Sequence, residues 1–209
     1  MSTQPLTFTP PPDDSEEVAR AEVYGLLAQL FYAPPGKDLY AQLQVAVTQA
    51  PARGAFLEAG FGELVAASRR LPLAAVVEEY AALFQAIGKP EVFLYGSYYM
   101  AGALNEKPLV ALRDELAALG LARAEAVEET EDHIAYLCEV MRYLIASDEV
   151  APGNLAQQRR FFDAQLRGWV ERLFDALAAH PRADFYRALA AFARDFFAVE
   201  GQGFDLLDD

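Results

Sequence analysis

A chain of 209 residues, 54% hydrophobic and 23% charged, carries enough apolar material for one sizeable core or two small helical halves. It does not have the composition of a disordered chain. A formal net charge of −14 argues against nucleic acid, whose phosphates need clustered Lys and Arg.

Bulk acidity attracts basic partners and also serves solubility. No apolar run approaches the roughly 20 residues that span a bilayer, so stable membrane insertion is not expected. The opening MSTQPLTFTPPPDDSEE is neither basic nor continuously apolar, unlike a secretion signal. The expected location is the cytoplasm. The single cysteine, Cys138, rules out an internal disulfide and a thiolate metal cluster.

Residues 1–14, with Pro10-Pro11-Pro12, read as a disordered tail. Ser15 then N-caps a first helix, with Glu16 and Glu17 in its first turn. Val18, Ala21, Leu26, Leu27, Leu30 and Phe31 lie at helical spacing up to the stop at Pro34-Pro35-Gly36. A second helix is expected from Lys37 to Ala50, and shorter ones around Phe56 and Leu64. Pro72 opens a helix whose apolar stripe is Val76, Val77, Tyr80, Leu83, Phe84 and Ile87, ended by Gly88-Lys89-Pro90.

The segment EVFLYGSYYM, dense in aromatics and broken by Gly96, predicts a packed loop leading into a helix. Pro108 marks a helix that ends at Gly120. The Ala/Glu-rich stretch 121–130 reads as a hinge between an N-terminal helical subdomain, 15–120, and a C-terminal one, 131–200. Thr130 is expected to cap a helix reaching Ser147. After Pro152-Gly153-Asn154 a long helix from Leu155 to Ala179 is predicted, then one from Pro181 to Val199 and a loose acidic tail, 201–209. No alternating run is long enough for a sheet. The class is all-α.

The stretch from Glu128 to Leu144, EETEDHIAYLCEVMRYL, sets four carboxylates and one of two histidines before an amphipathic run. With Thr130 as the cap, Glu131, Asp132 and His133 fill a first turn, where acids meet the positive end of the helix dipole. Ile134, Leu137, Cys138, Met141, Leu144 and Ile145 form the core face, so Cys138 reads as an inert buried thiol. Asp132, Tyr136, Glu139 and Tyr143 recur on a neighbouring face. Such an acidic and aromatic strip suits a cationic, partly apolar peptide, because guanidinium pairs with carboxylate and stacks on rings. The plainer reading is a solvated face with snorkelling tyrosines.

Adjacent helical residues point about 100° apart, so Glu131, Asp132 and His133 do not converge on a metal. HExxH, GxxxxGK[ST], strand-anchored GxGxxG and GxSxG patterns are all missing from the sequence. No metal, cofactor or catalytic residue is therefore assigned. The rival is a metal-dependent hydrolase on a helical bundle.

Several motifs together resemble the TorD/DmsD family of redox-enzyme maturation chaperones, which is NarJ-related. Glu129, Asp132 and His133, followed by a helix containing Met141, match its central E-x-x-D-H arrangement. EEYAALFQAIGKPEVFLYGSYYM is similar to its Tyr-x-x-Leu-Phe and aromatic block. QRRFFDAQLRGWVERLFDAL and FYRALAAFARDFF are similar to its last helices.

The resemblance covers Ser15 to Glu200. It departs at Thr130, where the family often has Pro, at Gln165 in place of His, and at Gly168 in place of the Pro before Trp169. It implies a noncatalytic cytoplasmic chaperone that binds an apo molybdo- or tungsto-enzyme catalytic subunit, commonly through its twin-arginine signal peptide, until cofactor insertion. Other members bind the enzyme body, and the resemblance admits a homodimer.

On this reading Glu129 and Asp132 receive the guanidinium groups. Tyr80, Leu83, Phe84, Phe93, Leu94, Tyr95 and Tyr98 line an apolar groove, and Tyr136 joins the peptide contact. His133 donates a hydrogen bond that fixes the hinge. For Tyr80, Leu83, Phe84 and Trp169, core packing is the simpler expectation.

Overall fold

The structure is a computed structural model that describes residues 15–48, 57–85, 88–124, 128–146 and 155–208. The expected tail 1–14, residues 49–50 at the predicted end of the second helix, and Phe56 and Ile87 lie outside the described residues. The architecture is all-α. The helices are α1 (Ser15–Tyr32), α2 (Lys37–Val45), α3 (Glu58–Arg70), α4 (Leu73–Phe84), α5 (Gly96–Ala101), α6 (Lys107–Ala118), α7 (Ile134–Ala146), α8 (Leu155–Phe162), α9 (Val170–Ala179) and α10 (Phe185–Asp205).

Antiparallel-strand pairing among the described residues is a single bridge between Tyr95 and His133. One buried cluster runs through residues on both sides of segment 121–130, because α1 packs along α7 and α3 along α10. The second contact is close. A Cβ on Gly60 would lie 2.9 Å from the Phe192 backbone, so glycine lets the two helices meet.

Most of the periodic stripes face inward as their spacing requires. Leu26, Leu27, Leu30 and Phe31 are buried on α1, and Val76, Tyr80 and Leu83 on α4. Ile134, Leu137, Cys138, Met141 and Leu144 are buried on α7. Val18 and Val77 are exposed instead. On α1, Val23 and Tyr24 supply the buried positions that Val18 does not.

Helix ends depart from expectation more than helix faces do. α2 stops at Val45, with Ala46 extended. α3 is the helix expected around Leu64, while the one expected around Phe56 lies outside the described residues. The run expected from Leu155 to Ala179 is broken. A π-helical turn at Asp163–Arg167 and the Gly168-Trp169 step separate α8 from α9. The break seats Trp169 in the core, its indole N–H donating to the Gln165 carbonyl at 2.6 Å.

α10 begins at Phe185 rather than Pro181, because its first N–H groups are capped from elsewhere. Glu79 of α4 accepts from the backbone N–H of Asp184, Phe185 and Tyr186 at 2.8, 3.0 and 2.8 Å, satisfying donors a helix start leaves open. At its other end α10 continues through Gly201 and Gly203 to Asp205, where a loose tail was expected. Phe204 is buried against Phe162, which holds the last turn despite two glycines.

Candidate functional site

The aromatic loop and the acidic stretch are brought together by backbone pairing. Gly96 N–H donates to the Asp132 carbonyl at 2.9 Å, and Ile134 N–H donates to the Leu94 carbonyl at 2.8 Å. Residues 93–97 therefore lie alongside 132–134 before each segment enters its helix. Gly96 is needed here, since a Cβ would sit 3.1 Å from the Trp169 ring.

α7 starts at Ile134, so Thr130 does not cap it. Instead Thr130 accepts the His133 N–H at its carbonyl and donates its hydroxyl to Asp132 Oδ1 at 2.6 Å. Asp132, only 2% exposed, accepts the Ser97 N–H at Oδ2 at 2.9 Å. It therefore caps α5 from outside that helix.

His133, 3% exposed, takes the capping place before α7. Its Nδ1 accepts the Ala135 N–H at 3.2 Å, so the ring accepts rather than donates the expected bond. A neutral imidazole with its proton on Nε2 is required for this. Burial supplies it, pushing the His133 pKa down to about 4 against a smaller upward pull from Asp132.

The acids differ in what they hold. Glu131 pairs with Arg113 at 2.9 Å and Arg123 at 3.7 Å, and Asp132 is spent on Thr130 and Ser97. Glu129, half-buried, receives the hydroxyl of Tyr95. Burial and its charge raise the Tyr80 pKa, while Tyr136 is raised by burial and Tyr32 first and by Glu129 to a lesser extent.

Beside the Glu129–Tyr95 bond several rings cluster about His133. Tyr95 meets His133 edge-on at 5.1 Å, and Tyr136 lies 5.9 Å from His133. Tyr32, the last residue of α1, lies 5.9 Å from Tyr136 and 6.3 Å from His133. It is 47% exposed, and it was not among the residues expected from sequence. Its signal there was slight, a tyrosine ending an apolar helix just before Pro34-Pro35. The Tyr136 hydroxyl is buried and interacts with Tyr32.

A half-buried carboxylate that takes one tyrosine hydroxyl, with further tyrosine rings nearby, has the chemistry to pair with a planar guanidinium.

The remaining expected residues divide. Tyr80 is buried, and its hydroxyl donates to the Tyr32 and Phe31 carbonyls at 2.6 and 3.3 Å, closing the end of α1. Leu83 and Leu94 are buried in the core, and Phe84 packs on Tyr80 and Tyr186. Phe93 is buried and stacked on half-exposed Tyr98 at 3.9 Å, with the Lys89 ammonium 5.5 Å from its ring. Tyr80, Leu83 and Leu94 thus hold the frame rather than an open groove.

Glu129, Tyr95 and Tyr136 sit together with Tyr32, while Phe93 and Tyr98 form a separate stack. Cys138 is fully buried, and burial pushes its thiol up. Among the described residues no three His, Cys, Asp or Glu side chains gather as a metal site. No described helix is long and apolar enough to cross a membrane.

Comparison with known proteins identifies this frame. The sequence pattern of the nitrate reductase delta subunit family matches residues 52–175, more than half of the chain. The chain belongs to that family. The family match takes in the aromatic loop, the E-x-x-D-H stretch, α7, α8 and the first part of α9, and agrees with the TorD/DmsD, NarJ-related resemblance of those motifs.

The fold is also similar to the crystal structure of a candidate redox enzyme maturation protein from Archaeoglobus fulgidus. The two share 18% sequence identity and a TM-score of 0.54, over 86% of this chain and 92% of that one. No curated protein sequence matches the chain.

Proposed function

We propose that the protein is a noncatalytic, cytoplasmic maturation chaperone that holds the apo catalytic subunit of a molybdo- or tungsto-enzyme through its twin-arginine signal peptide. Family membership supports the chaperone class. The observation that carries the peptide reading is half-buried Glu129, bonded to the Tyr95 hydroxyl beside a cluster of the Tyr95, His133, Tyr136 and Tyr32 rings. An arriving guanidinium replaces the Tyr95 hydroxyl on the carboxylate and stacks on the rings. Asp132 and His133 serve by holding the floor of that site, not by touching the peptide.

The same bonds act as a latch beside the connection 121–130, the proposed hinge between 15–120 and 131–200. A homodimer formed by exchange about that connection re-forms the latch between two copies. Release follows when cofactor insertion buries the client's leader.

The test is calorimetric titration of a twin-arginine leader peptide into the wild type, Glu129→Gln and Tyr32→Ala. Binding that falls about tenfold or more in each variant, and weakens as salt rises, supports the reading. Wild-type affinity in both variants refutes it.

A further inference from the structure

At the far end of α1 from Tyr32, about 24 Å away by helical rise, lies a half-open cavity of about 640 Å³ between α1, α3 and α10. Its floor is apolar, with Val23, Phe61, Phe192, Phe196 and Phe204. Its volume is in the range that seats ligands and anchoring side chains. The mouth adds the exposed aliphatic side chains Val47, Leu155 and Leu207.

Among the described residues the charge at the mouth is one-sided. Glu16, Glu17 and Glu58 line it and are exposed. Among the described residues the one cation lining it, Arg20, is held by Glu200 at 2.7 and 2.8 Å. An occupant with a carboxylate or phosphate meets three exposed acids and an arginine already neutralised. An occupant with basic groups beside large apolar ones meets complementary charge and an apolar floor.

The walls come mostly from α1 and α10, both outside the residues that match the family.

We infer that this cavity is a second docking site, taking a basic, apolar-anchored peptide segment of the client distinct from the arginine pair at Glu129. The inference rests on the reading that the client is a polypeptide, but not on where its arginines bind. The large apolar side chains enter between Phe61, Phe192 and Phe204, and the flanking Lys or Arg groups pair with Glu16, Glu17 and Glu58. With two contacts at opposite ends of α1, weak individual affinities combine through effective concentration. A client stripped of either segment is then released more readily.

Fluorescence anisotropy with three labelled synthetic peptides tests this on the full chain. One interleaves Leu and Lys, one replaces Lys by Glu, and one keeps Lys but replaces Leu by Ser. The expected result is binding of the Leu/Lys peptide alone. Its affinity should fall about tenfold in Glu16→Gln/Glu17→Gln/Glu58→Gln and in Leu207→Lys, and stay unchanged in Glu129→Gln. All the altered side chains of the first two variants are exposed, so loss of folding does not confound them.

Equal binding of the Glu peptide, or rim variants that match wild type, overturns the inference. Loss in Glu129→Gln alone overturns it too, while leaving the arginine site intact. Sedimentation showing a dimer that Leu207→Lys dissociates assigns the cavity to a second copy of the chain and overturns it as well.

Discussion

Asp132 Oδ2 accepts the backbone N–H of Ser97 at 2.9 Å, joining residues 35 apart in sequence. With Thr130 on its other oxygen, this buried carboxylate is a structural clamp, whereas its neighbour Glu129 is half-buried and takes the Tyr95 hydroxyl; it is the acid proposed to meet a cation. The two acids should therefore separate in experiment. Asp132→Ala leaves a buried N–H unsatisfied and should cost about 1.5–3 kcal/mol in urea unfolding. Glu129→Gln should leave stability within about 0.5 kcal/mol while weakening the leader peptide. Equal stability loss in both variants would place Glu129 in the frame as well.

His133 makes the fold sensitive to acid. Its folded pKa of about 4 lies below the usual value near 6.5, so between these limits the unfolded chain binds more protons than the folded one. Stability is full above about pH 6.5 and falls toward pH 4, by about 1.4 kcal/mol per unit. Wild type should lose about 2 kcal/mol between pH 6.5 and pH 5 from this group. Asn caps helices well, so His133→Asn keeps an acceptor for Ala135 and should flatten that part of the profile. Parallel pH profiles in the two proteins would show that burial of His133 does not drive the loss.

Glu200 is almost fully buried, taking both Arg20 bonds and the Tyr24 hydroxyl at 3.0 Å. Gln158 joins through Arg20 and so ties α8 to α1 and α10. Removing one charge strands the other in an apolar setting, which costs more than the pair contributes. Denaturant unfolding should show Glu200→Gln losing about 3–5 kcal/mol. The double variant Arg20→Met/Glu200→Leu should recover much of that. A double variant as unstable as the single one would mean that the pair, rather than its imbalance, holds the ends of α1 and α10.

The Glu79 cap of α10 gives a paired comparison within one helix. Glu78 is exposed, whereas Glu79 satisfies three backbone donors. Glu79→Ala should lower the unfolding free energy by about 2 kcal/mol and raise amide exchange at Phe185 and Tyr186. Glu78→Ala should stay within about 0.5 kcal/mol of wild type. Matching exchange rates in the two variants would remove the cap from the account.

Periodicity was enough to read the all-α class, most of the buried faces of α4 and α7 and the buried Cys138, while aromatic density and Gly96 marked the packed loop entering a short helix. These follow from contacts between residues three or four apart, which a linear pattern contains. The same pattern placed the acids near Thr130 at a helix tip. Only the tertiary structure turned Asp132 inward onto Ser97, set His133 rather than Thr130 before α7, and left Glu129 on the Tyr95 hydroxyl.

The ends of helices escaped for the same reason. α5, α10 and the close of α1 are completed by Asp132, Glu79 and Tyr80, side chains from elsewhere in the chain. Tyr32 joined the site only because α1 lies along α7. A helix face is a property of its own residues. What satisfies its unpaired backbone groups, and which carboxylate is left over for a ligand, depends on what the folded chain brings beside it.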